Sequence, residues 1–103
     1  AYRKFHHGEA VSVGMEAEAR MAVELGILPP EAAASQRRVL DSLGLPHRAS
    51  GLLPKKVRAA MAVDKKSREG RLRFALPEAI GRSRQGVEVP EEIVEAALVA
   101  VLT

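Results

Sequence analysis

The chain has 103 residues, 47% of them hydrophobic, and its only aromatics are Tyr2, Phe5 and Phe74; this suits one domain with an aliphatic core and excludes wholesale disorder or two separate cores. There is no cysteine, so disulfides and thiolate metal sites are excluded, in keeping with a reducing cytoplasm, and no apolar run approaches the ~20 residues that span a bilayer. The net charge of +3 hides a basic middle, because residues 47–84 carry eleven basic and three acidic side chains, a local +8, while residues 85–103 carry four acidic and no basic ones.

From Gly8 to Leu25 no proline interrupts the chain, and Gly26 follows as a stop. Val11, Met15, Ala22 and Leu25, with Ala10, Val13, Ala17 and Met21 beside them, form a wide apolar stripe at helical spacing. Pro29-Pro30-Glu31 marks a second start, since proline is tolerated where the first amide has no helical partner. Ala32, Gln36, Val39, Leu40 and Leu43 continue that helix, and Gly44 with Pro46 closes it. A loop from His47 to Gly51 leads to a third start at Pro54, where Val57, Ala60 and Met61 give a stripe running up to Asp64.

The pattern then changes period. Arg71-Leu72-Arg73-Phe74-Ala75-Leu76 alternates polar and apolar, which predicts a strand bounded by Gly70 and Pro77. Val87-Glu88-Val89 is expected to be a second short extended piece. Pro90-Glu91-Glu92 opens a last helix whose apolar side is Ile93, Val94, Ala97, Leu98 and Val101. The residues alone therefore predict a small, mostly α domain with a short β-strand pair.

Three segments could carry chemistry: His6-His7-Gly8-Glu9, Asp64-Lys65-Lys66, and the basic stretch from Arg68 to Arg73. A helix N-terminus disfavours imidazolium, so a histidine there stays neutral, as a metal ligand must. Glu9 is close enough to orient a ring or a bound water. A catalytic zinc nevertheless needs about three protein ligands, and the only other histidine is the distant His47. From spacing alone a helix-start role for these histidines is the commoner one. The two lysines read equally as partners of a helix C-terminal dipole or as an anion site, with Asp64 holding one ammonium in place.

The run His7-Gly8-Glu9-Ala10-Val11-Ser12-Val13-Gly14-Met15 resembles the H-G-E-A-V-x-x-G-M signature of 3-dehydroquinate synthases. Met61-Ala62-Val63-Asp64-Lys65-Lys66 is similar to that family's M-x-x-D-K-K, and Gly70 to Pro77 followed by Ile80-Gly81 resembles its next segment. Order and approximate spacing agree over nearly the whole chain. The loop from Pro46 to Pro54 matches nothing in the pattern.

The resemblance implies the C-terminal helical domain of a two-domain α/β + α enzyme, with residues 1–103 as its metal- and substrate-binding part and an NAD-binding N-terminal domain outside the chain. In keeping with this, the chain opens without methionine and enters the motif almost at once, so it is expected to be a piece of a longer protein, inactive alone. The resemblance implies His7 as one of three zinc (or cobalt) ligands, Glu9 beside it as an orienting partner, and Lys65 and Lys66 jointly as the contact to the phosphate-bearing substrate. No NAD-contacting residue is expected here. The implied reaction converts 3-deoxy-D-arabino-heptulosonate 7-phosphate to 3-dehydroquinate and phosphate, in a cytoplasmic enzyme that is a homodimer when intact.

Two other functions compete. A sister sugar-phosphate cyclase, such as a 2-deoxy-scyllo-inosose synthase, would share fold, NAD and metal. A small basic helical module binding nucleic acid would use the middle segment, but no helix-turn-helix pattern is evident and the basic residues are not interleaved with aromatics.

Overall fold

In the computed structural model, which describes residues 8–61 and 72–103 and the backbone of His7, helix α1 (His7–Glu24) is the element against which the others assemble. Helices α2 (Pro30–Ser42), α3 (Pro54–Ala60) and α4 (Glu91–Leu102) and strand β1 (Arg73–Ala79) all pack on it, while β2 (Arg82–Glu88) pairs with β1. The mostly α fold with one strand pair expected from the apolar spacing is the one formed. Surrounding α1 on so many sides buries far more of it than one stripe: Ser12, Glu16 and Glu18 are buried alongside Val13, Ala17, Ala19, Met21 and Ala22. Met15, counted in the predicted stripe, is instead 37% exposed. The helix ends as Gly26 predicts. Gly26 takes φ +74, its N–H donates to Val23 O and the Ile27 N–H donates to Ala22 O, which satisfies carbonyls the last turn leaves open.

Helices α2 and α3 start at Pro30 and Pro54, each proline in the first turn where its missing N–H costs nothing. The inner face of α2 differs from the expected one. Ala33 and Leu40 are buried, Gln36 donates to Met15 O and Arg37 reaches Glu16, whereas Val39 and Leu43 are exposed. Positions 33, 36, 37 and 40 form the i, i+3, i+4, i+7 stripe, and two polar residues in its middle disguise it. Helix α3 closes at Ala60, with Met61 extended at φ −78, ψ 153, rather than continuing to Asp64. Asp64, Lys65 and Lys66, expected at the end of that helix, lie outside the described residues.

Strand β1 runs to Ala79, past the Pro77 expected to end it, and β2 starts at Arg82, well before Val87. In a two-stranded sheet each strand has an open edge, where proline is tolerated. The pairing also slips where Pro77 lies: Pro77 faces Ser83 and Ala79 faces Arg82, which leaves one extra residue in β1. A second irregularity compensates. Phe74 faces Val87 and Leu76 faces Arg84, so β2 carries one extra residue there, beside Gly86 at φ +65. Phe74 and Leu76 are fully buried against α1, with Leu72 partly buried beside them, as the alternation predicts. A Cβ at Gly86 would meet nothing within 4 Å, so the cost of Gly86→Ala is that of the left-handed backbone alone. It should destabilise by about 1–2 kcal/mol in urea unfolding, and Gly86→Asn by less, because asparagine accepts that conformation.

Helix α4 seals the core with Val94, Ala97, Leu98 and Val101. The loop after α2 is tied at both ends: Ser12 Oγ lies 2.6 Å from Pro46 O, and Ala49 N–H donates to Val101 O at 2.9 Å. Among the described residues no helix is long and apolar enough to cross a membrane.

Candidate functional site

His7 is the first residue of α1, and Glu9 lies in the same first turn, partly exposed. The His7 side chain, His6, Lys65, Lys66, Arg68 and Arg71 all lie outside the described residues. The described residues do not by themselves fit a zinc ion, since no three His, Cys, Asp or Glu side chains converge among them.

What the fold does bring together is the helix carrying His7 and the residue that opens the Met61-to-Lys66 segment. Gly14 is buried in α1 where α3 crosses it. A Cβ at Gly14 would sit 3.1 Å from Met61 Cγ, 3.7 Å from Val57 O and 3.8 Å from Val57 Cγ1. Met61 itself is 6% exposed and part of the core. His7 lies about 10 Å along α1 from Gly14 at 1.5 Å per residue. Lys65 is four residues beyond Met61, a reach of at most about 14 Å for an extended chain.

The basic middle of the sequence is less free in space than its count suggests. Arg58 pairs with Glu91 and, at 3.4 Å, with Glu95. Arg73 lies 3.7 Å from Glu88, and Arg82 and Arg84 both pair with Glu78, at 2.8 and 2.9 Å. Three of those carboxylates come from the acidic last segment, which folds back onto the basic one.

One polar group escaped the sequence reasoning. Glu16 is fully buried, and its Oε2 accepts from Arg20 Nε at 3.0 Å and from Arg37 Nε at 2.7 Å, while Oε1 has no hydrogen-bond partner. Its signals were the i, i+4 spacing of Glu16 and Arg20 and an Arg37-Arg38 pair on a helix otherwise poor in charge. Arg20 and Arg37 also line a groove of about 580 Å³ between α1, α2 and α4. A second groove, about 400 Å³, lies between α1, α2 and the hairpin and is lined by Met15, Val39 and Ile80 among others. Neither includes residues 7–9 or Met61.

Residues 1–67 match the family model for the 3-dehydroquinate synthase C-terminal domain. The chain is 42% identical over 98 residues to a 3-dehydroquinate synthase of Gloeobacter violaceus, an alignment covering 94% of this chain and 27% of that relative. It is 39% identical to the synthase of Nostoc punctiforme, with the same coverage. With that of Rhodopirellula baltica it shares 38% over 91% of this chain and 25% of the relative. The chain thus spans about a quarter of the length of these relatives.

Proposed function

The chain belongs to the 3-dehydroquinate synthase family, in which it matches the C-terminal domain, and on that premise we propose that it serves an enzyme converting 3-deoxy-D-arabino-heptulosonate 7-phosphate to 3-dehydroquinate and phosphate. This is a lyase step of the shikimate pathway, toward aromatic amino acids. The observation that carries the proposal is the match of residues 1–67 to the 3-dehydroquinate synthase C-terminal domain, and the packing of Met61 against Gly14 sets the end of α3 on the helix that begins at His7. Relatives that bear the synthase name at about 40% identity support it over the sister cyclases.

In this function His7 is one ligand of a zinc ion whose other ligands come from outside the chain, because a catalytic zinc takes about three from protein. When bound, zinc supplies Lewis-acid polarisation of an oxygen, and NAD, held by another domain, supplies the hydride chemistry. The chain's own residues bind and orient. Glu9, in the first turn of α1, steadies the His7 imidazole, and Lys65 and Lys66 hold the phosphate-bearing substrate as point charges. Arginines already paired with carboxylates are less suited to that task. The working enzyme is a cytoplasmic homodimer.

Phosphate release and product chromatography with the intact enzyme test the activity; a carbocycle other than 3-dehydroquinate would overturn it. Lys65→Ala or Lys66→Ala should raise KM for the phosphorylated substrate about ten- to a hundredfold, the cost of losing one charge-assisted contact to the phosphate. Zinc content, measured on the same samples, should not change.

A further inference from the structure

We propose that the outer face of α4 and the groove beside it are covered, in the intact protein, by the part of the same polypeptide that lies outside residues 1–103, an inference that needs only family membership and not the reaction proposed above. After Glu95 the helix continues Ala96-Ala97-Leu98-Val99-Ala100-Val101-Leu102, without one charged or polar side chain. Successive residues turn by about 100°, so these point in every direction around the axis and the end of α4 is apolar on all sides. Such a helix belongs in an interior. In this chain its cover is one-sided. Val94, Ala97, Leu98 and Val101 are buried, whereas Ala96 is exposed and Val99 is 59% exposed. The charges of α4 do little for the open side. Glu91 and Glu95 turn toward α3, where Arg58 pairs with both. The open side continues into the groove of about 580 Å³ left between α1, α2 and α4, whose apolar lining includes Val23, Ala33, Ile93 and Ala96. Arg20, Glu24, Arg37 and Glu92 supply its charges, two of each sign. Apolar surface among mixed charges is the make-up of a protein interface. Length identifies the occupant. The aligned part of this chain is 27% of each of two relatives, so in a protein of that build most of the polypeptide is tethered to this domain. A tethered surface meets the groove at an effective concentration of order millimolar, which a second copy at ordinary protein concentration does not reach.

The test uses the intact protein with any cysteines of its remainder replaced by serine, since residues 1–103 contain none. Ala96→Cys and Val99→Cys are each labelled with a maleimide in native buffer and in urea. Both positions are open in the domain itself, so protection there comes from outside it. Labelling in native buffer should be at least about thirtyfold slower than in urea at both positions, and about hundredfold dilution should not change it. Weaker protection at either position overturns the proposal. Protection that falls on dilution assigns the face to a second copy and overturns it too. Photo-crosslinking from p-benzoylphenylalanine placed at Glu92, an exposed position lining the groove, identifies the cover. The expected product keeps the monomer's mass on a denaturing gel and joins position 92 to a peptide from outside residues 1–103. A dimer-sized product, or a crosslink confined to residues 1–103, overturns the proposal. If either cysteine variant does not fold, the other and the crosslink decide. An intact protein that makes a different carbocycle would end the function proposed above and leave this inference standing; an unprotected α4 in an active synthase would end this inference alone.

Discussion

His7→Ala in the intact enzyme is expected to strip the zinc and cut turnover by at least about 10²-fold. His7 is the first residue of α1, with Glu9 as the acidic residue of that turn. The unsatisfied amides of a helix N-terminus carry partial positive charge, which favours the neutral imidazole that a metal requires over the imidazolium. Alanine removes the donor and keeps the helix start, so secondary structure and expression should not change. Glu9→Gln keeps the side chain's size while removing its charge, and should cost less, about 10- to 100-fold in metal affinity, as partners of metal-bound histidines usually do. Metal analysis after gel filtration checks both; a full complement of zinc in His7→Ala would remove the residue from the ligand set. Calorimetry on the 103-residue chain supplies the companion measurement. One ligand of three cannot close a site, so tight stoichiometric zinc binding by this chain alone would also overturn the assignment.

The elements were legible wherever punctuation is local. Pro30, Pro54 and Pro90 open helices and Gly26 ends one, because the missing N–H of proline and the left-handed backbone of glycine act within one or two residues. The alternation of Leu72, Phe74 and Leu76 likewise fixed which face of β1 is buried. What stayed hidden depends on tertiary partners. Val39 and Leu43 look like core and are exposed, while Gln36 and Arg37 face α1, because α1 offers α2 a carbonyl at Met15 and a buried carboxylate at Glu16 in place of an apolar surface. The length of β1 beyond Pro77 was hidden for a similar reason. Proline is a barrier only where a second strand needs its N–H, and that depends on how many strands the sheet contains. The candidate site was legible through ordered motifs rather than through physics: composition reached a basic middle segment, and only the resemblance distinguished Lys65 and Lys66 from Arg58, Arg73, Arg82 and Arg84. Arg58 and Arg73 pair with Glu91 and Glu88 of the acidic last segment, which the linear charge count keeps apart from them, whereas Arg82 and Arg84 pair with Glu78 inside the basic segment itself.

Removing both Arg20 and Arg37 is expected to destabilise the domain by about 3 kcal/mol, the low end of the range for stripping the partners from a buried charge. The low end applies because the two arginine side chains are 40% and 35% exposed, so solvent already screens part of the attraction. Glu16 is fully buried, with both ion-pair contacts on Oε2 and none on Oε1. Its carboxylate therefore depends on those two guanidinium groups to offset the loss of water. Arg37 should matter more than Arg20. Its contact is the shorter, 2.7 against 3.0 Å, and it links α2 to α1 where Arg20 only bridges one turn of the same helix. Arg37→Ala alone should thus cost more than Arg20→Ala, and the two together more than their sum, since the second loss leaves the charge with no partner at all. For a domain of this size about 3 kcal/mol corresponds to roughly 12–24 °C in Tm, well outside measurement error. Glu16→Met separates charge from shape. It removes the buried charge with the need for its partners, fills similar volume, and should cost far less than the double arginine variant. A Glu16→Met protein as unstable as Arg20→Ala/Arg37→Ala would mean that the ion cluster, and not the relief of a buried charge, holds α2 against α1.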